Sequence, residues 1–156
     1  MVPLGIQEAV CSLVGNCIGA NNVPLARRFF SFTMKVTIVL ILMIVITTVL
    51  ARRQLAMVFT DDEQLIEMTA PLILLAGLNF FADGFQGYLQ GPIRAMGLQQ
   101  VASYIALASY WLIALPLAII FCFVCDVGVS GLLKAIMIGA ACQCLSYLSL
   151  LICTNW

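Results

Sequence analysis

Ala95 to Cys125 reads AMGLQQVASYIALASYWLIALPLAIIFCFVC, 31 consecutive residues without a formal charge. A hydrocarbon core about 30 Å thick is crossed by roughly 20 apolar helical residues. A second uncharged run, AIMIGAACQCLSYLSLLICTNW from Ala135 to Trp156, has 22. Helices of a soluble domain keep a polar face, and these runs have none. The sequence therefore specifies an integral, multi-pass membrane protein. Its fold class is all-α, a polytopic helix bundle, because backbone surrounded by lipid must satisfy its own hydrogen bonds.

Composition agrees. Charged residues make up 9% of the 156, against about 25% in soluble domains. Seven Lys and Arg balance seven Asp and Glu, so no basic footprint invites nucleic acid. His is absent, which removes the commonest metal ligand and general base. With no nucleophile–base pair and no ligand set, neither an enzyme nor a metal or cofactor is expected. Cys11, Cys17, Cys122, Cys125, Cys142, Cys144 and Cys153 read as small, soft apolar residues. The CxxC of Cys122 and Cys125 is the one place where a disulfide near the membrane surface competes with that reading. The opening MVPLGIQEAV is not expected to be a signal peptide, since Glu8 interrupts any apolar core and no basic region precedes it.

Outward from the central run, the chain divides into a single membrane domain, 1–156, with about five helices, over about 2–20, 31–51, 68–90, 101–123 and 132–153. Asn21, Asn22 and Pro24 mark the first turn. Arg27, Arg28 and Lys35 around Phe29, Phe30 and Phe32 read as an interfacial anchor before the second helix. Arg52 and Arg53 close that helix. Gln54 to Glu67 reads as a short surface helix capped by Thr60 or Asp61, with acids in its first turn. Gly91-Pro92 is expected to end the third helix, leaving Ile93 to Gln100 as a polar loop. Pro116 is expected to kink the fourth. Two GxxxG spacings, Gly15/Gly19 and Gly87/Gly91, point to close helix packing within the bundle. If the Arg27 loop is cytoplasmic, that side holds Arg27, Arg28, Lys35 and Arg94 against Arg52, Arg53 and Lys134. Four against three leaves the orientation open.

Function is sought in what interrupts the apolar runs. Asp83 lies near the middle of the third helix, where an Asp costs about 2.5–3.5 kcal/mol on insertion scales and faces a cavity or a partner. A buried carboxyl holds its proton more tightly and also pairs with cations. A proton-coupled exporter of cations needs both abilities in one group. Asn79 is four residues earlier and Gln86 three later, one polar stripe on one face. A structural interhelical hydrogen bond is the rival reading. Tyr104, Tyr110 and Trp111 either line a cation cavity through their rings or form an interfacial belt. Glu8 sits near a surface.

Five fragments, in order, resemble one family. Val14-Gly15-Asn16-Cys17-Ile18-Gly19-Ala20 resembles the VGNxLGAG element of multidrug and toxic compound extrusion (MATE) transporters, with Asn21 in place of the last Gly. Ala26-Arg27-Arg28 follows it as in that family. The segment from Gln90 to Gln99 resembles GGVLRGxGxQ, Tyr110 to Leu117 resembles YYxxGxPLG, and Gly128 to Leu132 resembles GVxGLW, with Gly139 and Gln143 also in place. The resemblance implies one lobe of a two-lobed, twelve-helix transporter: this chain looks like helices eight to twelve, most of the C-terminal lobe. It also implies that Asp83, eight residues before Gly91, stands where eukaryotic-type members carry an acidic residue, usually Glu, that takes part in proton and cation binding. The acids of the family's seventh helix have no counterpart here.

The function expected is part of a cation-coupled antiporter, driven by H+ or Na+, that exports organic cations or xenobiotics. Asp83, Asn79, Gln86 and Tyr110 are its candidate binding residues. The bilayer, a small organic cation and a missing N-terminal lobe are its partners. Two alternatives stand beside it: an exporter of a lipid-linked saccharide, which calls for basic residues in the cavity, and a truncated, non-transporting chain that only packs with a partner lobe.

Overall fold

The computed structural model describes residues 2–59, 63–125 and 128–154, and they are helical nearly throughout. Helix α1 spans Val2–Gly19, α2 Val23–Leu50, α3 Arg52–Phe59 and α4 Glu63–Ala95. Helix α5 spans Gln99–Val124 and α6 Val129–Cys153. Among the described residues, four helices are long and apolar enough to cross a membrane: α2, α4 from Leu65, α5 and α6. Large apolar side chains face outward along them, such as Met43, Ile46, Leu112 and Leu145. A soluble monomer does not expose so much apolar surface.

Two helix ends share one device. Asn21, at φ 55°, ends α1; its N–H donates to Ile18 (2.9 Å), and that of Asn22 to Cys17 (2.9 Å). Gly97, at φ 75°, ends α4 in the same way, with Gly97 bonded to Arg94 (2.9 Å) and Leu98 to Ile93 (3.0 Å). Each is a Schellman closure, which needs a residue that tolerates the left-handed region. This corrects the expected end of the third helix at Gly91-Pro92. The helix runs four residues beyond Gly91 to Ala95, because Pro92 removes one hydrogen bond while the membrane and neighbouring helices favour continued helix.

Other boundaries differ from expectation for local reasons. Helix α2 begins at Val23 rather than about residue 31: Asn22 accepts the Leu25 N–H (3.2 Å) and Pro24 lies in the first turn. A polar cap and a proline with preset φ start a helix there, so Arg27 and Arg28 lie inside α2. Arg52 and Arg53 open α3 instead of closing α2. No single surface helix covers 54–67: α3 ends at Phe59, and Glu63 and Glu67 belong to α4. Thr60 and Asp61, the expected caps, lie outside the described residues.

Helix α5 absorbs Pro116 by widening. Ser109–Ala114 and Ile120–Val124 are π-helical, flanking an α-helical Leu115–Ile119. The Leu115 N–H reaches back five residues to Tyr110, and Cys125 to Ile120 (3.0 Å). Proline lacks the N–H and crowds the carbonyl four residues before it, and a π turn relieves that misfit.

Helix α4 is central and packs against α1, α2, α5 and α6. Val10, Val14, Tyr88, Leu89, Ile93, Cys144, Tyr147 and Leu151 form the shared core. Close approach is sharpest at two glycines. A Cβ on Gly91 would lie 2.8 Å from the Gln7 carbonyl oxygen of α1, and one on Gly139 would lie 2.6 Å from Ala114 Cβ of α5. Gly87 and Gly19 meet nothing within 4 Å, so only part of each GxxxG spacing serves packing. All seven cysteines are free thiols, Cys17 and Cys144 buried, and Cys122 and Cys125 form no disulfide.

Candidate functional site

The polar residues of α4 recur at 79, 83, 86, 90 and 94, a spacing that keeps one face. Helix packing turns that face toward α5 and α6. Asn79 Nδ2 donates to the Leu75 carbonyl of its own helix (3.2 Å) and to the Leu133 carbonyl of α6 (3.1 Å). Gln86 Nε2 donates to Asp83 Oδ1 (3.3 Å). The Gln86 amide and the Tyr110 hydroxyl of α5 are 3.3–3.4 Å apart, with either group able to donate. The structure thus brings together all four residues singled out in the sequence. Three of them, Asn79, Asp83 and Tyr110, line a cavity of about 320 Å³ together with Phe80, Ile136 and Ala140, and Gln86 lies behind them.

Asp83 stands at the open rim of this cavity, exposed, while Gln86 behind it is buried. The two ion pairs between described residues, Arg53–Glu63 and Arg94–Glu8, do not involve it. Asn79 has a fixed orientation: both its hydrogen bonds run to carbonyl oxygens, which only accept, so the donating end of the amide must face them. Its Oδ1 is buried and receives no donor among the described residues. The cavity wall offers a carboxylate and a phenol oxygen beside the rings of Phe80 and Tyr110, and Asn79 lines it with its amide oxygen buried. Such a wall attracts cations and N–H donors and repels anions. Among the described residues, no group of three or more His, Cys, Asp or Glu is placed to hold a metal ion.

Tyr104 and Trp111 do not share the cavity with Tyr110; they are 73% and 65% exposed and face outward. Only Tyr110 turns inward, from the first π-helical stretch of α5. Glu8 lies at the surface and pairs with Arg94 across α1 and α4 (3.1 Å). Four further polar groups, none of them a candidate site residue in the sequence, also pair. Gln7 and Gln90 meet at 3.4 Å. Gln143 Nε2 donates to the Tyr147 hydroxyl (2.7 Å), which donates to the Ala102 carbonyl (3.1 Å). Gln90 continues the α4 spacing by one more turn, and that signal was in the sequence.

Residues 1–120 match the MatE family model. Protein DETOXIFICATION 41 of Arabidopsis thaliana is 31% identical over 154 residues, covering 98% of this chain and 30% of that protein. Multidrug and toxin extrusion protein 1 of Homo sapiens is 25% identical over 156 residues, covering 100% of this chain and 27% of its own. The crystal structure of the eukaryotic MATE transporter AtDTX14 superposes with a TM-score of 0.91 at 27% identity, over 99% of this chain and 35% of that one. The chain thus spans about a third or less of the length of the proteins it matches.

Proposed function

The chain belongs to the MatE family, and from that premise we propose that it supplies one lobe of a cation-coupled antiporter that exports organic cations. Asp83 is the shared site in this reading. It holds the substrate cation when ionised and releases it when a coupling proton neutralises it, or when Na+ takes its place. One carboxylate used by both makes the two occupancies mutually exclusive, and exclusive occupancy is what couples two fluxes. Transporters of this kind bind where two repeats meet and rock one against the other. A lobe such as this one forms a single wall of that cleft.

The observation that carries the reading is the carboxylate of Asp83 at an open cavity rim, without an ion pair among the described residues and sharing the cavity with Asn79 and the phenol of Tyr110. The same observation weighs against a lipid-linked saccharide: a pyrophosphate needs donors and positive charge, and this cavity has no Lys or Arg. The test replaces the matching third of AtDTX14 with this chain and measures pH-gradient-driven efflux of a fluorescent cation from proteoliposomes. Asp83→Asn keeps the volume and removes the charge and the titrating proton, and should abolish efflux. Asp83→Glu should retain part of it. Normal efflux from the Asn variant would overturn the assignment.

A further inference from the structure

The unpartnered acceptor of Gln143 has no role in the cavity just described. Gln143 is 1% exposed, and its Oε1 receives no donor among the described residues. Its orientation is fixed by proton bookkeeping. The Tyr147 hydroxyl has one proton and gives it to the Ala102 carbonyl (3.1 Å), so at 2.7 Å it can only accept from the Gln143 amide. The donating nitrogen of Gln143 must face Tyr147, and the carbonyl oxygen must face the other way. A buried acceptor left dry costs about 1–3 kcal/mol, and a buried water with two or more polar neighbours removes that cost.

The neighbours are in place. Gly139 of α6 is level with Ser109 and Ala114 of α5, and Tyr147 is level with Ala102, so Gln143 lies between those levels. Side chains of a helix lean toward its N-terminus, which tips Tyr110 toward that same level. On α4, Ala82 meets Cys144 (3.6 Å), which sets the adjacent Gln143 near the level of Asp83, while Gln90 and Tyr147 line one cavity. That second cavity, of about 150 Å³, is also lined by Arg94, Gln99 and Ser103 and opens at the Glu8–Arg94 end of the bundle. Asp83 and Arg94 are eleven residues apart on one face of α4, about 16 Å, with Gln86 and Gln90 between them.

We propose that Gln143 Oε1 holds an internal water that joins the two cavities, and that this hydrated track inside the lobe is how the coupling proton reaches Asp83. A hydronium ion at the Arg94 mouth gives up a proton, water molecules pass it on, and the Asp83 carboxylate becomes a carboxylic acid; release runs the same steps in reverse. The amides and phenols keep their own protons and orient the water. Arg94 does not bar the mouth, because Glu8 offsets its charge at 3.1 Å. Asp83 meets Gln86 on its own helix, Tyr110 from α5 and the neighbouring Cys144 thiol from α6. The track lets protons arrive from within the lobe while the substrate uses the open rim.

The inference rests on the reading of Asp83 as the coupling carboxylate, so its test has one arm that does not involve transport. X-ray hydroxyl-radical footprinting oxidises buried side chains that touch bound water. Tyr147 and Tyr88 are both 1% exposed, which makes Tyr88 the internal control. In this chain, held in lipid nanodiscs, Tyr147 should be oxidised and Tyr88 spared. Gln143→Leu should bring Tyr147 down to the level of Tyr88, and Gln143→Glu, which keeps an acceptor, should not. Oxidation of Tyr88 would flag a misfolded variant, and Gln90→Leu then carries the same comparison. Equal protection of the two tyrosines in the unmodified chain, or undiminished Tyr147 oxidation in both Leu variants, would overturn the water track. In the AtDTX14 chimera, Gln143→Leu should slow dye release after a pH jump several-fold with equilibrium dye affinity retained. Loss of release in Asp83→Asn with an unchanged rate in Gln143→Leu overturns the track alone. An unchanged Asp83→Asn overturns the coupling role itself.

Discussion

Among the described residues the Tyr110 hydroxyl has one side-chain hydrogen-bond partner, the Gln86 amide at 3.3–3.4 Å, and the residue presents a ring and a hydroxyl to the cavity together. Tyr110→Phe keeps the ring and removes the oxygen. A lost hydrogen bond of about 1 kcal/mol corresponds to about a fivefold change in affinity. In the AtDTX14 chimera, dye affinity should therefore weaken about fivefold with efflux still pH-driven; an unchanged affinity would reduce Tyr110 to packing. The grouping of Asn79, Asp83 and Gln86 was legible because helical spacing alone puts them on one face. Tyr110 was raised with Tyr104 and Trp111 as a ring that could face a cavity, and composition gave the three equal claims. Gln143 matched the family pattern without a role, and the bond from Tyr147 to the Ala102 carbonyl of α5 was not legible, because no spacing within one helix encodes a contact between helices.

At the scale of elements, the tight crossing at Gly139 and the open position at Gly87 make opposite predictions. Gly139→Ala places a methyl 2.6 Å from Ala114 Cβ and 3.4 Å from the Ser109 carbonyl oxygen. Helix α5 must then move away from α6, at a cost of about 1–3 kcal/mol for overpacking. Gly87→Ala, where nothing lies within 4 Å, should instead gain up to about 1 kcal/mol from helix propensity. Unfolding in detergent micelles, followed by circular dichroism, should give opposite signs; a destabilising Gly87→Ala would mean that Gly87 is a packing position like Gly139. The existence of the apolar helices was legible from run length. Their ends were not, because Asn22, Gly97 and Pro92 act through backbone geometry. Gly91-Pro92 has the composition of a helix end, yet Gly91 is there to admit α1, and the chain turns at Gly97.

At the scale of the molecule, the open rim bearing Asp83 has no opposing wall within this chain. The chain alone should therefore fold in a bilayer but not export the dye, while the AtDTX14 chimera should; export by the chain alone at the chimera's rate would remove the need for a second lobe. The ties described above also say where motion is affordable. Helix α4 is pinned to α1 by Gln7–Gln90, Glu8–Arg94 and the Gly91 crossing, to α2 by the Tyr88 hydroxyl on Thr33 (3.2 Å), and to α6 by Asn79 on Leu133. Beyond Tyr110, the second half of α5 has no such side-chain bond to α4 among the described residues, and it is broken twice by π turns. A π turn is a helix carrying one residue too many, and passing that surplus along the helix rotates whatever lies between by about 100° per residue. If this lobe has a hinge, it is the stretch around Pro116. The side chain it would swing out of the cavity is Tyr110, leaving Asp83 with Gln86 alone and a bound cation with one ring fewer to hold it.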